Sequence, residues 1–274
     1  MEFGASQLPW LVAVLLATGI AAGLLAGLLG VGGGIVVVPV LYHGFRELGL
    51  DESVRMHVAV ATSLATVAVT AWRSSRSHAA RGSVDAGLLR AWGPPACAGA
   101  VLGAGLAAWL SGPALAATFG VVTLAVALHM AFGRETWRLA AAPPAGALGA
   151  LAGAGIGVFS AMLGLGAGTL GVTSLTLAGV PIHRAVGTAA GLGPWIAVPG
   201  AVAMVWAGWG AAGLPPGSLG YVNAIGFALI VAASWLAAPW GARFAHAVSR
   251  LWLRRVFALF LALTSLRMLS ELAA

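Results

Sequence analysis

Apolar stretches, broken by short polar or glycine- and proline-rich intervals, follow one another from Leu8 to Leu269. Most approach the ~20 residues that an α-helix needs to cross a ~30 Å hydrocarbon layer. Reading glycine, proline and charge as punctuation predicts ten segments. They are Leu8–Leu29, Ile35–Tyr42, Met56–Trp72, Leu88–Leu110, Ala114–Ala131, Ala145–Leu163, Thr169–Val180, Ala185–Gly208, Leu219–Trp240 and Trp252–Leu269. The second and seventh are short for a full crossing, so each is expected as a half-helix or a re-entrant segment. An odd number of spans would require fusing a short segment with its neighbour. The predicted class is an all-α integral membrane protein of about ten transmembrane or half-membrane helices.

Composition agrees. Of 274 residues, 60% are hydrophobic and 8% charged, against about a quarter charged in a soluble domain. The net charge of +7 is carried entirely by arginine. In a soluble protein that balance would suggest nucleic acid; between apolar segments it reads instead as a topology signal and a contact for anionic lipid headgroups. Arg73, Arg76, Arg81 and Arg90, then Arg134 and Arg138, then Arg184, then Arg243, Arg250, Arg254 and Arg255 all fall on one side if ten segments alternate. That side is the cytoplasm, which puts both termini outside and makes the chain a multi-pass protein of a bacterial inner membrane. The first segment lacks a basic stretch before it and leads into glycines rather than a cleavage site, so it is kept as structure. A single cysteine, Cys97, offers neither a disulfide nor a thiolate metal cluster. No cofactor or metal is expected.

The chain resembles itself. Gly23–Gly34 (GLLAGLLGVGGG) matches Gly157–Gly168 (GVFSAMLGLGAG), with Gly30, Gly32 and Gly34 falling on Gly164, Gly166 and Gly168. Val60-Ala-Thr-Ser63 likewise matches Val186-Gly-Thr-Ala189, setting Thr62 on Thr188. The loop after the first matched helix, Trp72–Arg90, is rich in arginine, while Gly208–Ser218 carries no charge. The positive-inside rule therefore puts these equivalent loops on opposite sides. Two inverted-topology repeats of five segments follow, residues 1–132 and 145–274, joined by a cytoplasmic connector at 133–144. Inverted repeats are a recurring plan of secondary transporters, with the substrate held where the repeats meet.

Glycine costs about 1 kcal/mol relative to alanine inside a helix, so a cluster such as Gly30-Val-Gly-Gly-Gly34 interrupts one. A helix restarting at Ile35 or Thr169 presents unpaired amides and the positive end of its dipole. Two such ends converging would bind an anion without lysine or arginine. The candidate substrate residues are Gly32, Gly33, Gly34, Gly166 and Gly168 for amides, with Thr62, Ser63, Thr169 and Thr188 for hydroxyls. Packing is the competing use of glycine, and Gly23/Gly27, Gly99/Gly103 and Gly149/Gly153 have the small-xxx-small spacing that draws membrane helices together.

The acidic residues Glu2, Glu47, Asp51, Glu52, Asp85, Glu135 and Glu271 all fall at ends or loops of this segmentation. A carboxylate inside the membrane is the usual mark of a cation or proton carrier. Its absence favours an anionic or neutral solute, although backbone carbonyls still suit sodium. His57 and His183 stand near the starts of the threonine-bearing helices, as candidates for gating or as ordinary helix-end histidines. Pro194 is a candidate hinge or a fixed kink. No Gly-x-Ser-x-Gly elbow, His-Glu-x-x-His motif or intramembrane carboxylate pair marks an enzyme.

With these motifs, GLLGVGGGIVVVP (Gly27–Pro39) and AVATSL (Ala59–Leu64), then MLGLGAG (Met162–Gly168) and AVGT (Ala185–Thr188), the chain resembles the TauE/SafE family of bacterial sulfite exporters and anion permeases. The second half departs from the pattern at Ala167, which replaces a glycine, and at Thr173, which stands where Pro39 does. The resemblance implies export of a small sulfur-containing anion such as sulfite, thiosulfate or an organosulfonate. Composition does not itself select sulfur. A carrier of a carboxylate, neutral compound or metal ion, or a noncatalytic membrane subunit, remains the alternative. The expected partners are a small anion and membrane lipid, with no nucleic acid; oligomeric state is not encoded in these patterns.

Overall fold

The computed structural model describes residues 7–29, 33–132, 139–244 and 250–273. Ten helices occur among them: α1 (Gln7–Leu29), α2 (Gly34–Glu47), α3 (Glu52–Ala80), α4 (Ala86–Trp109), α5 (Gly112–Phe132), α6 (Gly146–Met162), α7 (Ala167–Leu177), α8 (Ile182–Ala207), α9 (Ala224–Phe244) and α10 (Arg250–Ala273). The protein is thus an all-α membrane protein. α3, α5 and α8 are each long and apolar enough to cross a bilayer. The two short segments are separate helices of 14 and 11 residues, rising about 21 and 16 Å at 1.5 Å per residue, less than the ~30 Å apolar layer. Two features extend the sequence reading. α3 runs well past Trp72 to Ala80, and the start of the expected segment Leu219–Trp240 is instead part of a two-residue antiparallel ladder, β1 (Ser218–Leu219) with β2 (Val222–Asn223), so that α9 begins at Ala224. Of the expected connector, 133–138 lie outside the described residues.

α3 and α8 pack along each other at the centre, and α2, α5 and α9 also meet α3 while α4 and α7 meet α8. α3 is buried without interruption from Met56 to Leu64. Outside this pair, α1 lies along α9, α4 along α6 and α5 along α10. Apart from the contact of α5 with α3, these contacts recur when α1–α5 are exchanged with α6–α10. The detail recurs too. A Cβ on Gly19 would stand 2.6 Å from the Ile230 carbonyl oxygen, and one on Gly23 2.5 Å from that of Ser234. Correspondingly, a Cβ on Gly153 would stand 2.8 Å from the Trp92 carbonyl oxygen, and one on Gly157 would overlap that of Ala96. Gly99 and Gly103 of α4 return the contact against Ala154 and Val158. The small-residue spacing is therefore spent on two seams where backbone meets backbone, as expected for Gly23, Gly99, Gly103 and Gly153. Gly149 differs, lying under the Pro144 carbonyl before α6 begins.

These seams make two glycines of one helix respond oppositely. Gly157→Ala drives a methyl group into the α4 backbone and is expected to cost roughly 1–3 kcal/mol by overpacking. Gly155→Ala meets nothing within 4 Å and is expected to raise stability by up to about 1 kcal/mol through helix propensity. Apparent Tm values in detergent, measured side by side, check both.

Candidate functional site

The second helix break is built from two glycines with opposite tasks. α6 ends at Met162, and the amide of Gly164 (φ 69°) donates to the Ala161 carbonyl at 3.1 Å while that of Leu165 donates to Ser160 at 2.9 Å. This pairing satisfies two of the carbonyls that a helix end leaves open. Gly166 then precedes α7 with φ 64° and ψ −174°, a combination open essentially to glycine alone. In the first half, Gly33 has φ 73° and its carbonyl accepts from Val36 at 3.1 Å and Val37 at 3.3 Å as α2 starts. Gly32 lies outside the described residues.

The two breaks meet. A Cβ on Gly34 would stand 2.6 Å from the Gly164 carbonyl oxygen and 3.2 Å from that of Leu165. The Ser63 hydroxyl of α3 donates to the Gly164 carbonyl at 2.7 Å, with the Gly34 carbonyl a weaker second acceptor at 3.3 Å. Val67, one turn along α3, fills the remaining gap and would contact a Cβ on either Gly34 or Gly166. The open, shared pocket expected between the breaks is thus closed at Gly34 and Gly164, where backbone packs on backbone. What faces Gly34 is a pair of carbonyls rather than a second row of amides.

Thr62 and Thr188 have a different employment from Ser63. The Thr62 hydroxyl accepts from the Asn223 amide at 2.9 Å, and the Thr188 hydroxyl accepts from the Asp85 amide at 3.0 Å. Each acceptor tethers the residue that opens a helix of the other half. Asn223 Oδ1 accepts from Gly226 N at the start of α9, and Asp85 Oδ1 from Gly87 N and Leu88 N at the start of α4. Asp85 adds an ion pair to Arg184 at 2.8 Å. Asn223 and Asp85 were absent from the sequence-derived set, although Val84-Asp-Ala86 and Val222-Asn-Ala224 carry the likeness.

Gly168 and Thr169 occupy the first turn of α7, both buried. Thr169 is 6% exposed and its hydroxyl has no hydrogen-bond partner among the described residues; the same holds for Ser160, 0% exposed on the last turns of α6. Ser160 is a third residue that the sequence does not single out, since a lone serine in a glycine-rich helix carries no pattern. His57 is buried against Leu110 O at 3.0 Å from its Nε2 and stacks on Tyr221, whereas its Nδ1 has no partner among the described residues. His183 is exposed on the first turn of α8. Pro194 lies within α8, which continues unbroken through it. The structure therefore gathers Gly34, Ser63 and the Gly164–Gly166 break, sets Thr62 and Thr188 at two separate clasps, and leaves His183 apart.

Two known proteins to which this chain is similar are described as probable membrane transporters. A "Probable membrane transporter protein" of Haemophilus influenzae is 28% identical over 259 residues, covering 94% of this chain and 97% of its own. A similarly described protein of Methanocaldococcus jannaschii is 25% identical over 236 residues, covering 84% and 82%. No solved structure matches the chain. The model of the family described as Sulfite exporter TauE/SafE matches residues 15–268. Together with ten helices, paired glycine breaks and matched clasps, that match establishes this membrane transporter as a member of the TauE/SafE family.

Proposed function

We propose that the chain is a secondary transporter that exports a small sulfur-containing anion across the bacterial inner membrane, by alternating access of two inverted repeats. The observation that carries this reading is the Thr169 hydroxyl, buried at the amino end of α7 with no hydrogen-bond partner among the described residues. Such a group is costly unless something accepts from it, and the dipole of α7 makes that something an anion. Gly166, Gly168 and Thr169, with Ser160 from the preceding helix, form the binding end. Ser63 holds the facing break closed, so solute entry requires α3 to release the Gly164 carbonyl. The Thr62–Asn223 and Thr188–Asp85 clasps then secure the two gates rather than touch solute.

One observation favours a second reading. The carbonyls of Gly34 and Gly164 converge on Ser63, and converging carbonyls suit a cation better than an anion. A cation carrier built on this point is the competitor.

Proteoliposomes loaded with thiosulfate, sulfite or an organosulfonate are expected to show flux, with a carboxylate and sodium as comparison solutes. Robust sodium or metal flux with no movement of any sulfur anion would reverse the order of the two readings. Thr169→Val is expected to weaken anion binding about tenfold or more, the loss typical of a hydrogen bond to a charged group, while Tm stays level or rises. An unchanged Kd would remove Thr169 from the site. Ser63→Ala is expected to cost about 1 kcal/mol of stability and to increase labelling of cysteines introduced beside Gly164.

A further inference from the structure

By sequence, Glu271 falls just past the last apolar segment. The structure packs it into the last turn of α10, with a side chain 16% exposed. Its Oε1 faces the Arg46 guanidinium of α2, Arg267 Nε at 3.2 Å and His43 Nδ1 at 3.8 Å. Its Oε2 and both ring nitrogens of His43 are buried without a hydrogen-bond partner among the described residues. A cleft of about 310 Å³ opens beside them between α1, α2 and α10, walled by Val14, Pro39, Val40, His43, Thr264 and Arg267. Glu47 stands on its rim, and Tyr42 meets the His43 ring edge-on at 5.4 Å.

A settled structural ion pair satisfies both carboxylate oxygens and its partner's nitrogens. Here three adjacent acceptor or donor positions go unused, and they border an open cleft. Arginine does not titrate in proteins, which leaves His43 and Glu271 as the groups able to exchange a proton. His43 lies in the last turns of α2, past the apolar stretch Ile35–Tyr42. Burial favours its neutral ring; Glu271 opposes that, Arg267 and Arg46 reinforce it, and Glu47 opposes it weakly. A proton on the ring therefore works against the packed arrangement. Moving the carboxyl end of α2 away from α10, into the cleft, relieves the conflict. The amino end of that same short helix is Gly34, packed on Gly164 at the other break.

We propose that His43, set against Glu271 at the junction of α2 and α10, is a proton-binding site whose occupancy sets the position of α2 and couples solute movement to a proton. This rests on the transport reading. The proton comes from water to a ring nitrogen and returns to water on the other side of the cycle, with Glu271 positioning the ring.

The test has two arms, on the full-length protein. In the first, apparent Tm is followed from pH 8 to 5 without solute. Because the folded ring holds its proton less readily than the unfolded one, its contribution to stability is present above the ordinary histidine value of about 6.5 and is lost as pH falls through it. His43→Gln is expected to flatten that slope, and Glu271→Gln, which removes the upward pull, to steepen it. In the second arm, proteoliposomes carry thiosulfate, which brings no proton near neutrality, and an internal pH dye. Wild type is expected to move protons with solute, and His43→Gln to move solute with the proton signal at background. An identical pH profile in His43→Gln, or wild-type thiosulfate flux with no proton movement, overturns the proposal and leaves the transport reading standing. If the wild type moves no solute, the transport reading fails and coupling with it, while the first arm still decides whether His43 binds the proton.

Discussion

Breaking a helix in an apolar interior frees backbone groups that have no water to turn to. That constraint organises the centre of this protein. At the α6–α7 break the amides of Gly164 and Leu165 close two of the freed carbonyls, yet Gly164 contributes a carbonyl of its own. Ser63 supplies the hydrogen for it. A serine can do so only if α3 runs directly beneath the break, which requires α3 to be enclosed on every side. Met56 to Leu64 are accordingly buried without a gap. Gly34 must be bare for the same reason, since any Cβ there would strike the oxygen that Ser63 serves.

The two clasps apply the same economy at the helix starts. A threonine hydroxyl on a central helix accepts the amide of a residue whose own side chain caps the next helix, so one residue ties three backbone positions together. The halves solve this with different charge. Asn223 is neutral and anchors to Pro216 and Ser218, whereas Asp85 is ionised and anchors to Arg184. An exposed ion pair is screened by salt and contributes little in water, so the Asp85 clasp is sensitive to ionic strength in a way that the amide clasp is not. The same fold position thus responds differently on its two sides.

Much of this was legible from residues alone. Apolar length found all ten helices, because burial in lipid demands nearly continuous hydrophobicity, and the glycine clusters located both breaks. Gly99, Gly103, Gly23 and Gly153 announced the seams by spacing. What spacing did not convey was the direction of hydrogen bonds. Thr62 and Ser63 are neighbours in sequence and point a helical step apart, so one meets Asn223 and the other Gly164; nothing local distinguishes them. Glu271 lies at a helix end, as its position suggested, but position did not convey that Arg46, Arg267 and His43 surround it. Ser160 gave no periodic signal at all.

The alternating access proposed above needs some part to move, and the packing restricts what can. The α1–α9 and α4–α6 seams bring glycines within touching distance of carbonyls. Such contacts are tight or absent, with little in between, so each pair travels as one body. α3 packs against α9 and α8 against α4, and there the Thr62 and Thr188 hydroxyls add single hydrogen bonds that break at modest cost. The short helices α2 and α7 have less surface to hold them, and each ends at a glycine break. The compliant parts are therefore the clasps and the two short helices, which are also the parts that carry Thr169, His43 and the closed contact at Gly34.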